Sequence, residues 1–305
     1  MRKIYVLGSI NMDLVISAPY MPKSGETLSG KDFFMNPGGK GANQAVACSK
    51  QDVPTYLIGN IGKDMFGNSL LSTLHKYNVD TTYVNKLDVT SGIAMILIAN
   101  NDNRIILDGG ANQKVSGEQI EDALSKANVD DIFITQLENN LDAVTKGLEL
   151  AKEKGLITIF NPAPAINLKK TIYRNVDYLI VNENECEILT GIKPKNEESA
   201  INAYLYLKKH GLNSLIITLG KRGSMCFRGT EYYRVKAHKI EAIDTTAAGD
   251  TFVGAFASQL LKDVPLKKAL NYASICSAIT CLNKGAQQAI PTAKVVKEYL
   301  NKKKD

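Results

Sequence analysis

The chain has 305 residues, of which 44% are hydrophobic, and its 37 basic and 31 acidic residues give a formal net charge of +6. No basic face is interleaved with aromatic residues, which argues against nucleic-acid binding, and no apolar run approaches the roughly 18 residues of a membrane span. The chain opens directly on an apolar strand rather than a signal sequence, so we expect a cytoplasmic protein. The cysteines form no CxxC pair, which argues against a structural metal site and for a reducing compartment; they are Cys48, Cys186, Cys226, Cys276 and Cys281.

Short apolar runs alternate with amphipathic segments along the chain, which predicts an α/β fold with a mainly parallel sheet. Several strand runs are apolar on both faces, as a sheet covered by helices on both sides requires. The predicted strands cover residues 4–8, 55–61, 131–135, 157–160, 178–181 and 215–218. The predicted helices cover residues 41–50, 67–77, 117–127, 141–154, 184–190, 197–210, 249–262, 266–282 and 292–302.

Two segments interrupt this alternation. Residues 12–34 are predicted to be rich in loops, because they contain Pro19, Pro22 and Gly25. Residues 92–108 are predicted to form a hairpin with a polar turn at residues 100–103. The first strand of that hairpin is apolar on both faces. It either lies in the main core, or belongs to a lid with one face over a cleft and the other against a second chain.

A glycine-rich segment spans residues 36–45 and leads into the first predicted helix. It matches neither the GxxxxGK[ST] phosphate loop nor the GxGxxG dinucleotide fingerprint. Glycines allow close approach of a ligand to the backbone, and Lys40 and Asn43 would present donors from the first helical turn. This arrangement suits a ligand with several hydroxyl groups, although an ordinary turn between a strand and a helix would give the same pattern.

Two further segments follow predicted strands. Asn182 and Glu185 are three residues apart at a helix start, a spacing that suits either a Mg²⁺ site built largely through waters or a capping box. Residues 218–223 contain two glycines and two cations and could contact nucleotide phosphates, although glycine turns after strands are common.

The segment 243–251 combines small residues with an aspartate, Asp250, at the start of an apolar helix. A helix start has unpaired N–H groups and a partial positive charge, and it is therefore suited to bind an anion. A carboxylate beside such a site suggests a base next to a phosphoryl group in transfer to a hydroxyl. Alternatively, Asp250 is an ordinary acidic residue that complements the helix dipole.

Taken together, these segments resemble the signature regions of the ribokinase-like sugar kinases. GGKGANQ at residues 38–44 and DTTAAGDT at residues 244–251 carry the resemblance, and the shorter motifs between them match in order and spacing from about residue 3 to 300. The resemblance implies a three-layer sandwich with a mainly parallel central sheet flanked by helices. It further implies a single domain over residues 1–305, with a small β-sheet lid inserted from about residues 12–36 and 92–108.

The resemblance also implies roles for individual residues. Asp250 would be the catalytic base, and the backbone N–H groups of Ala247, Ala248 and Gly249 its anion hole. The sugar would be held by Asn11, Asp13, Gly39, Lys40, Asn43, Glu138 and Asp250. ATP would contact Asn182, Thr218, Leu219, Gly220, Lys221, Arg222, Gly223, Gly249 and Ser274, and Asn182 and Glu185 would be linked to Mg²⁺. A monovalent cation, normally K⁺, would be held by Asp244, Thr246, Thr280, Asn283, Gly285 and position 289.

One of these positions departs from the family pattern. Position 289 is Ala289, where a hydroxyl-bearing residue is frequent in the family, so water or a carbonyl would have to replace that side-chain ligand.

The expected reaction is transfer of the γ-phosphoryl group of ATP to the 5-hydroxyl of D-ribose, which gives ribose 5-phosphate and ADP in a homodimer joined through the lid. The alternatives are a related kinase of 2-deoxyribose, fructose or a nucleoside, and a regulator that binds a sugar or nucleotide without turnover. Asn11 favours ribose, since deoxyribose-preferring relatives tend to replace it. A nicotinamide dehydrogenase and a Ser–His–Asp hydrolase are disfavoured by the missing GxGxxG fingerprint and by the polar surroundings of the three histidines.

Overall fold

The computed structural model describes residues 1–100 and 102–302. Asn101, which belongs to the predicted hairpin turn, and residues 303–305 lie outside this range. The described strands are β1 (Ile4–Leu7), β2 (Asn11–Ser17), β3 (Lys31–Gly38), β4 (Thr55–Gly62), β5 (Asp80–Leu87), β6 (Gly92–Ala99), β7 (Asp102–Asp108), β8 (Ile132–Thr135), β9 (Ile157–Phe160), β10 (Tyr178–Asn182), β11 (Ser214–Thr218), β12 (Ser224–Arg228) and β13 (Glu231–Val235). The described helices are α1 (Lys40–Ser49), α2 (Met65–Lys76), α3 (Gly117–Leu124), α4 (Leu141–Glu153), α5 (Glu183–Thr190), α6 (Glu197–Lys208), α7 (Ala248–Leu261), α8 (Leu266–Thr280) and α9 (Ala293–Lys302).

The large sheet has nine strands in the order β13-β12-β11-β10-β9-β8-β1-β4-β5. The seven strands from β11 to β5 pair in parallel, whereas β12 and β13 are antiparallel at one end. Carboxyl ends of parallel strands meet at the same edge of a sheet, so the loops that follow them are brought together there. The expected α/β class with a mainly parallel central sheet is confirmed.

Helices cover both faces of the large sheet, because its central strands have apolar side chains on both faces. Along β1, Ile4 and Val6 belong to one buried cluster, and Tyr5 and Leu7 belong to the other. The first cluster includes buried residues of α1, α2, α7, α8 and α9. The second cluster includes buried residues of α3, α4, α5 and α6. The structure therefore has three layers, as the resemblance implied.

Helices α1 and α7 lie unusually close together, and a glycine makes this possible. A Cβ atom added at Gly254 of α7 would lie 2.5 Å from the Cβ of Ala47 and 2.7 Å from the carbonyl oxygen of Gln44, both in α1. Any larger residue would push the helices apart. This contact fixes the start of α1 relative to the start of α7, where the candidate active site is located.

A separate four-stranded sheet has the order β3-β2-β6-β7 and is formed by the two segments that interrupt the alternation. The interpretation of residues 12–34 as a loop-rich segment is wrong in part, because this range includes most of β2 and the start of β3. The sequence did not predict these two strands, because β2 begins with polar residues, and β3 contains Pro37 and is exposed over most of its length. The predicted hairpin is confirmed, and the alternative that its first strand lies in the main core is wrong, because β6 pairs with β2 and β7.

The other predictions of secondary structure hold. The predicted ends of the nine helices and six strands differ from the observed ends by at most three residues, whereas β5, β12 and β13 were missed. The five cysteines are buried and free. Over the described ranges, every helix is too short or too polar to cross a membrane.

Candidate active site

A cleft of about 830 Å³ opens at the carboxyl edge of the large sheet, between the ends of β10 and β11 and the start of α7. Most residues predicted to bind ATP or to carry the chemistry line it. They are Asn182, Glu185, Thr218, Gly220, Lys221, Gly223, Ala247, Ala248, Gly249, Asp250 and Ser274. Lys40, which was predicted to hold the sugar, also lines the cleft.

Two residues predicted to contact ATP do not line this cleft. The side chain of Leu219 is buried in the core beneath α5 and α6. The guanidinium of Arg222 pairs with the carboxylate of Glu183 and donates to the carbonyl oxygen of Lys195 at 3.1 Å. Lys221 is therefore the cation of the 218–223 turn that faces the cleft.

The start of α7 has the form of an anion site. Ala247 precedes the helix in a left-handed conformation with φ of 58°, and no side chain caps the helix. Gly249 and Asp250 have backbone N–H groups without an acceptor among the described residues. The N–H of Ala248 is different, because it donates to the carbonyl oxygen of Thr245 at 3.2 Å. Unpaired N–H groups at a helix start attract negative charge, and the cleft gives a ligand access to them.

Asp250 is nearly buried, and both of its carboxylate oxygens are held from α1. Asn43 Nδ2 donates to Oδ2 at 3.1 Å, and Gln44 Nε2 donates to Oδ1 at 3.0 Å. The carboxylate therefore has a fixed position at the end of the cleft, next to the N–H groups of its own helix turn. This geometry is suited to a base, because a base must be held within hydrogen-bond reach of the proton that it accepts.

The residues predicted to hold the sugar are gathered around Glu138. Its Oε2 accepts hydrogen bonds from the Ser9 hydroxyl at 2.5 Å, from the Lys40 backbone N–H at 3.1 Å and from Asn11 Nδ2 at 3.3 Å. Asn11 is itself oriented by Asn112, whose Nδ2 donates to its Oδ1 at 2.7 Å. Gly39, with φ of +88°, leaves no room for a side chain beside Ser9 and Asn11.

Asp13 is the carboxylate of this cluster without a partner. It is buried, and no hydrogen-bond donor reaches it from the described residues. The pKa of Asp13 is raised to about 7, chiefly by burial and also by the charges of Glu138 and Asp250, whereas the charge of Lys40 lowers it. The pKa of Lys40 is raised chiefly by the charge of Asp250. A ligand with several hydroxyl groups would supply the donors that Asp13 lacks.

Asn182 and Glu185 form the capping box that the sequence offered as an alternative. The Glu185 backbone N–H donates to Asn182 Oδ1 at 2.9 Å, and the Asn182 N–H donates to Glu185 Oε2 at 2.8 Å. Both residues nevertheless line the cleft, and Glu185 Oε1 has no donor among the described residues. Burial raises the pKa of Glu185. The two interpretations are therefore compatible, because the box leaves one carboxylate oxygen for a cation.

The six residues predicted to hold a monovalent cation fall into a linked group of three, a linked pair and one separate residue. Asp244 accepts from the N–H and hydroxyl of Thr246 and, at 2.9 Å, from the N–H of Gly285. Burial raises the pKa of Asp244, but these bonds outweigh burial and the pKa lies below its ordinary value. The Asn283 N–H donates to the carbonyl oxygen of Thr280 at 3.2 Å. Ala289 is buried and contributes no side-chain oxygen.

Sequence reasoning assigned no role to several polar residues that complete the site. Ser9 and Asn112 orient Glu138 and Asn11, and Gln44 holds Asp250. Gln44 could have been found, because it lies four residues after Lys40 and therefore on the same side of the start of α1. Ser9 and Asn112 could not, because they meet partners about a hundred residues away along the chain.

The raised pKa of Asp13 predicts a stability cost above neutral pH. Between pH 4 and 7 the folded protein retains a proton on Asp13 that the unfolded chain has lost, so the free energy of unfolding falls as the pH rises through this range. We expect Asp13→Asn to stabilise the free protein at pH 8 by about 2–4 kcal/mol, with little effect at pH 4. Urea unfolding at the two pH values measures this. Asp88→Asn, at an exposed ion pair with Lys63, should change neither value. A destabilised Asp13→Asn protein at pH 8 would contradict the prediction.

Three comparisons relate the whole chain to known proteins. Residues 1–293 match the family described as pfkB family carbohydrate kinase. The chain is 38% identical to a ribokinase of Haemophilus influenzae over 98% of this chain and 99% of that protein, and 35% identical to a deoxyribokinase of Salmonella typhi over 98% of each. A solved ribokinase of Arabidopsis thaliana, complexed with ribose and ATP, superposes with a TM-score of 0.91 at 29% identity, over 98% of this chain and 99% of that one. The chain therefore belongs to the pfkB family of carbohydrate kinases.

Proposed function

We propose that this sugar kinase transfers the γ-phosphoryl group of ATP to the 5-hydroxyl of D-ribose, which gives D-ribose 5-phosphate and ADP. The observation that carries the proposal is the position of Asp250. Its carboxylate lies at the junction between the cleft and the polar cluster of Glu138, Asp13 and Asn43, beside unpaired N–H groups of α7. A sugar hydroxyl and a phosphoryl group brought to this junction would meet next to a fixed base.

The polar cluster supports a sugar rather than an apolar substrate. Asp13 lacks a donor, whereas Asn11 and Glu138 are oriented by neighbours that do not themselves occupy the cleft. Carboxylate and amide oxygens held in this way accept hydrogen bonds from hydroxyl groups at defined positions. Gly39, Lys40 and Asn43 complete the proposed ring of sugar contacts.

In the proposed mechanism Asp250 accepts the proton of the attacking hydroxyl late in the reaction. An ionised aspartate is a weak base, which is sufficient when the transition state is loose and positioning and charge stabilisation carry most of the work. The unpaired N–H groups at Ala247, Gly249 and Asp250 would bind the phosphoryl oxygens as charge develops. Lys40 and Lys221 would add positive charge from either side of the cleft.

The nucleotide is proposed to occupy the part of the cleft lined by Asn182, Thr218, Gly223 and Ser274. Mg²⁺ would be held next to Asn182 and Glu185, where it would neutralise phosphate charge. The residues present fit this ion, since Glu185 Oε1 is free of donors and Mg²⁺ commonly retains waters and takes few protein ligands. Glu185 would therefore hold the ion through water, with the capping box fixing its orientation.

A K⁺ ion is proposed behind the start of α7. The ion would stabilise the turn at residues 244–246 and the turn around Gly285 through their carbonyl groups. Both turns lie behind the unpaired N–H groups of α7, as seen from the cleft. The fit rests on Asp244, whose carboxylate links the 244–246 turn to Gly285. Because Ala289 has no side-chain oxygen, backbone carbonyls would supply most of the remaining ligands.

Ribose is preferred over 2-deoxyribose in this proposal because of Asn11. The chain is similar to kinases named for either sugar, so the choice depends on the site. Asn11 Nδ2 points to Glu138 Oε2 at a long 3.3 Å, and a sugar hydroxyl inserted there would pair with both groups. A site built for a hydroxyl is left with unpaired polar groups when the analogue lacks it.

A coupled ADP-release assay over a panel of sugars tests the proposal. We expect kcat/KM for ribose to exceed that for 2-deoxyribose by about tenfold or more, and we expect fructose and nucleosides to be poorer still. The same panel without K⁺ should show a lower kcat for ribose. A preference for 2-deoxyribose would contradict the sugar assignment, and equal rates with and without K⁺ would contradict the cation site.

Asp250→Asn tests the assignment of the base. We expect kcat to fall by about two to three orders of magnitude, while ribose binding measured by calorimetry is retained. Asp142→Asn is the matched control, because Asp142 also lies in the first turn of a helix, α4, but is exposed. If Asp250 only complements the helix dipole, the two variants should behave alike. Near-wild-type turnover of Asp250→Asn would exclude it as the base.

We further propose that two chains form a homodimer through the lid sheet. This sheet exposes a set of large apolar side chains, distributed over both of its faces: Phe33, Phe34, Met35, Met95, Ile105, Ile106 and Leu107. Exposed apolar surface of this extent marks an interface. It also explains why the first hairpin strand is apolar on both faces.

Sedimentation velocity at micromolar concentration tests the dimer. We expect a dimer for the wild-type chain and a monomer for Ile106→Glu, because a charge would be buried without a partner in the interface. Val129→Glu is the control, since Val129 is an apolar residue of similar exposure outside the lid. A monomeric wild-type protein, or a dimer that Ile106→Glu leaves intact, would count against the lid interface.

A further inference from the structure

A chain of buried side-chain amides leads to the carboxylate of Asp250. Gln44 Nε2 donates to Asp250 Oδ1 at 3.0 Å and to Asn161 Oδ1 at 3.1 Å, and Gln44 Oε1 accepts from Gln136 Nε2 at 2.7 Å. Asn161 Nδ2 in turn donates to the carbonyl oxygen of Ile180 at 2.9 Å. Gln44 and Gln136 are almost completely buried. All of these hydrogen bonds of the Gln44 amide are therefore made to protein groups.

We propose that Gln44 is a positioning residue that fixes the Asp250 carboxylate for proton transfer, and that Gln136 and Asn161 fix Gln44. The inference rests on the proposed function, in which Asp250 is the base. Gln44 would act through Asp250 alone, without contact to either substrate. The remaining bond to Asp250, from Asn43 Nδ2, reaches the other oxygen, so the two donors together prevent rotation of the carboxylate.

The orientation of these amides follows from the carboxylate. An ionised aspartate only accepts hydrogen bonds, so the atom of Gln44 that faces it must be the NH₂ group. Gln44 Oε1 then faces Gln136, which must present its own NH₂ group. As a result Gln136 Oε1 is left as a buried acceptor without a donor. An unpaired buried acceptor lowers stability, a cost that simple core packing would not require.

The surroundings of Gln136 leave it little freedom to turn. A Cβ atom added at Gly8 would lie 2.3 Å from Gln136 Oε1 and 2.4 Å from the Cα of Gly41. Gly8 follows β1 and Gln136 follows β8, which are neighbours in the sheet. The amide chain thus begins at the carboxyl ends of the central strands, which are rigid. Through its hydrogen bonds it restricts the movement of the Asp250 side chain on α7.

Two substitutions at Gln44 separate a donor role from a packing role. Gln44→Glu keeps the shape and the oxygen that accepts from Gln136, but it places a second carboxylate against Asp250. Gln44→Met keeps the approximate volume and removes both donors. If Gln44 positions Asp250, we expect kcat to fall about 10- to 100-fold in both variants, and at least as much in Gln44→Glu as in Gln44→Met. The KM for ribose should stay within about threefold of the wild-type value.

The pH dependence of kcat adds a readout that packing would not change. A carboxylate that loses a donor, or gains a like charge beside it, is protonated more easily. We therefore expect the acid limb of the kcat profile to move to higher pH in Gln44→Met, and further in Gln44→Glu. A Gln44→Glu protein with wild-type kcat and an unmoved acid limb would overturn the proposal.

Gln51→Met is the matched control. Gln51 is a fully buried glutamine just after α1, and its Nε2 donates to the carbonyl oxygen of Pro291 at 2.8 Å, away from Asp250. We expect it to lose stability in urea as Gln44→Met does, but to retain kcat within about twofold. If both variants lose kcat equally, Gln44 acts through general stability and the proposal is wrong.

A crystal structure of the Gln44→Met protein tests the same point without any substrate. We expect the Asp250 carboxylate to turn away from its position beside Asn43, and an unmoved carboxylate would overturn the proposal. An inactive wild-type protein in the ribose assay would contradict the proposed function instead, and the crystal structure would still decide whether Gln44 holds Asp250.

Discussion

The close contact between α1 and α7 is the constraint on which the site depends. Gly254 permits it, and it brings the first turns of both helices together, so that Asn43 and Gln44 reach the carboxylate of Asp250. Each helix start on its own has an ordinary composition of small and polar residues. Only their juxtaposition gives a carboxylate held on both oxygens beside unpaired N–H groups, and a buried core packs α1 and α7 against the same face of the sheet to maintain it.

The site is electrostatically unsatisfied when it is free. Asp13, Glu138 and Asp250 lie near one another, and Lys40 is the cation whose charge they share. Burial together with like charges opposes ionisation of Asp13 in particular, which means that part of the folding free energy is spent on holding an unfavourable arrangement. Ligand hydroxyl groups would relieve this cost by donating to Asp13, so the same arrangement that destabilises the free protein favours binding.

The sequence was sufficient to predict the helices and the strands buried on both faces. Each of these elements has the same surroundings along its whole length and therefore shows a regular apolar pattern. The sequence was insufficient for β2 and β3, because β2 begins with polar residues of the sugar cluster and β3 is exposed over most of its length, so neither strand has a regular apolar pattern. The site followed the same rule. Asp250 and Lys40 could be found from local motifs, whereas Ser9 and Asn112 act through partners that only the tertiary fold brings near. For Asn182 and Glu185 the sequence offered a capping box or a Mg²⁺ site; the structure shows the capping box, and the Mg²⁺ site stays a proposal.

Helix α1 also explains how the segment around Ala289 is ordered without a hydroxyl at that position. At the end of α1, the Lys50 ammonium donates to the carbonyl oxygens of Gln287 and Ile290 at 2.7 and 2.8 Å. Burial lowers the pKa of Lys50 to about 8, so these bonds are made by a group that remains mostly protonated at neutral pH. The segment is therefore tied to α1 on one side and, through Gly285 and Asp244, to the approach to α7 on the other. Its order comes from these two connections to the helices that hold Asp250, and a side-chain ligand at position 289 is not needed to supply it.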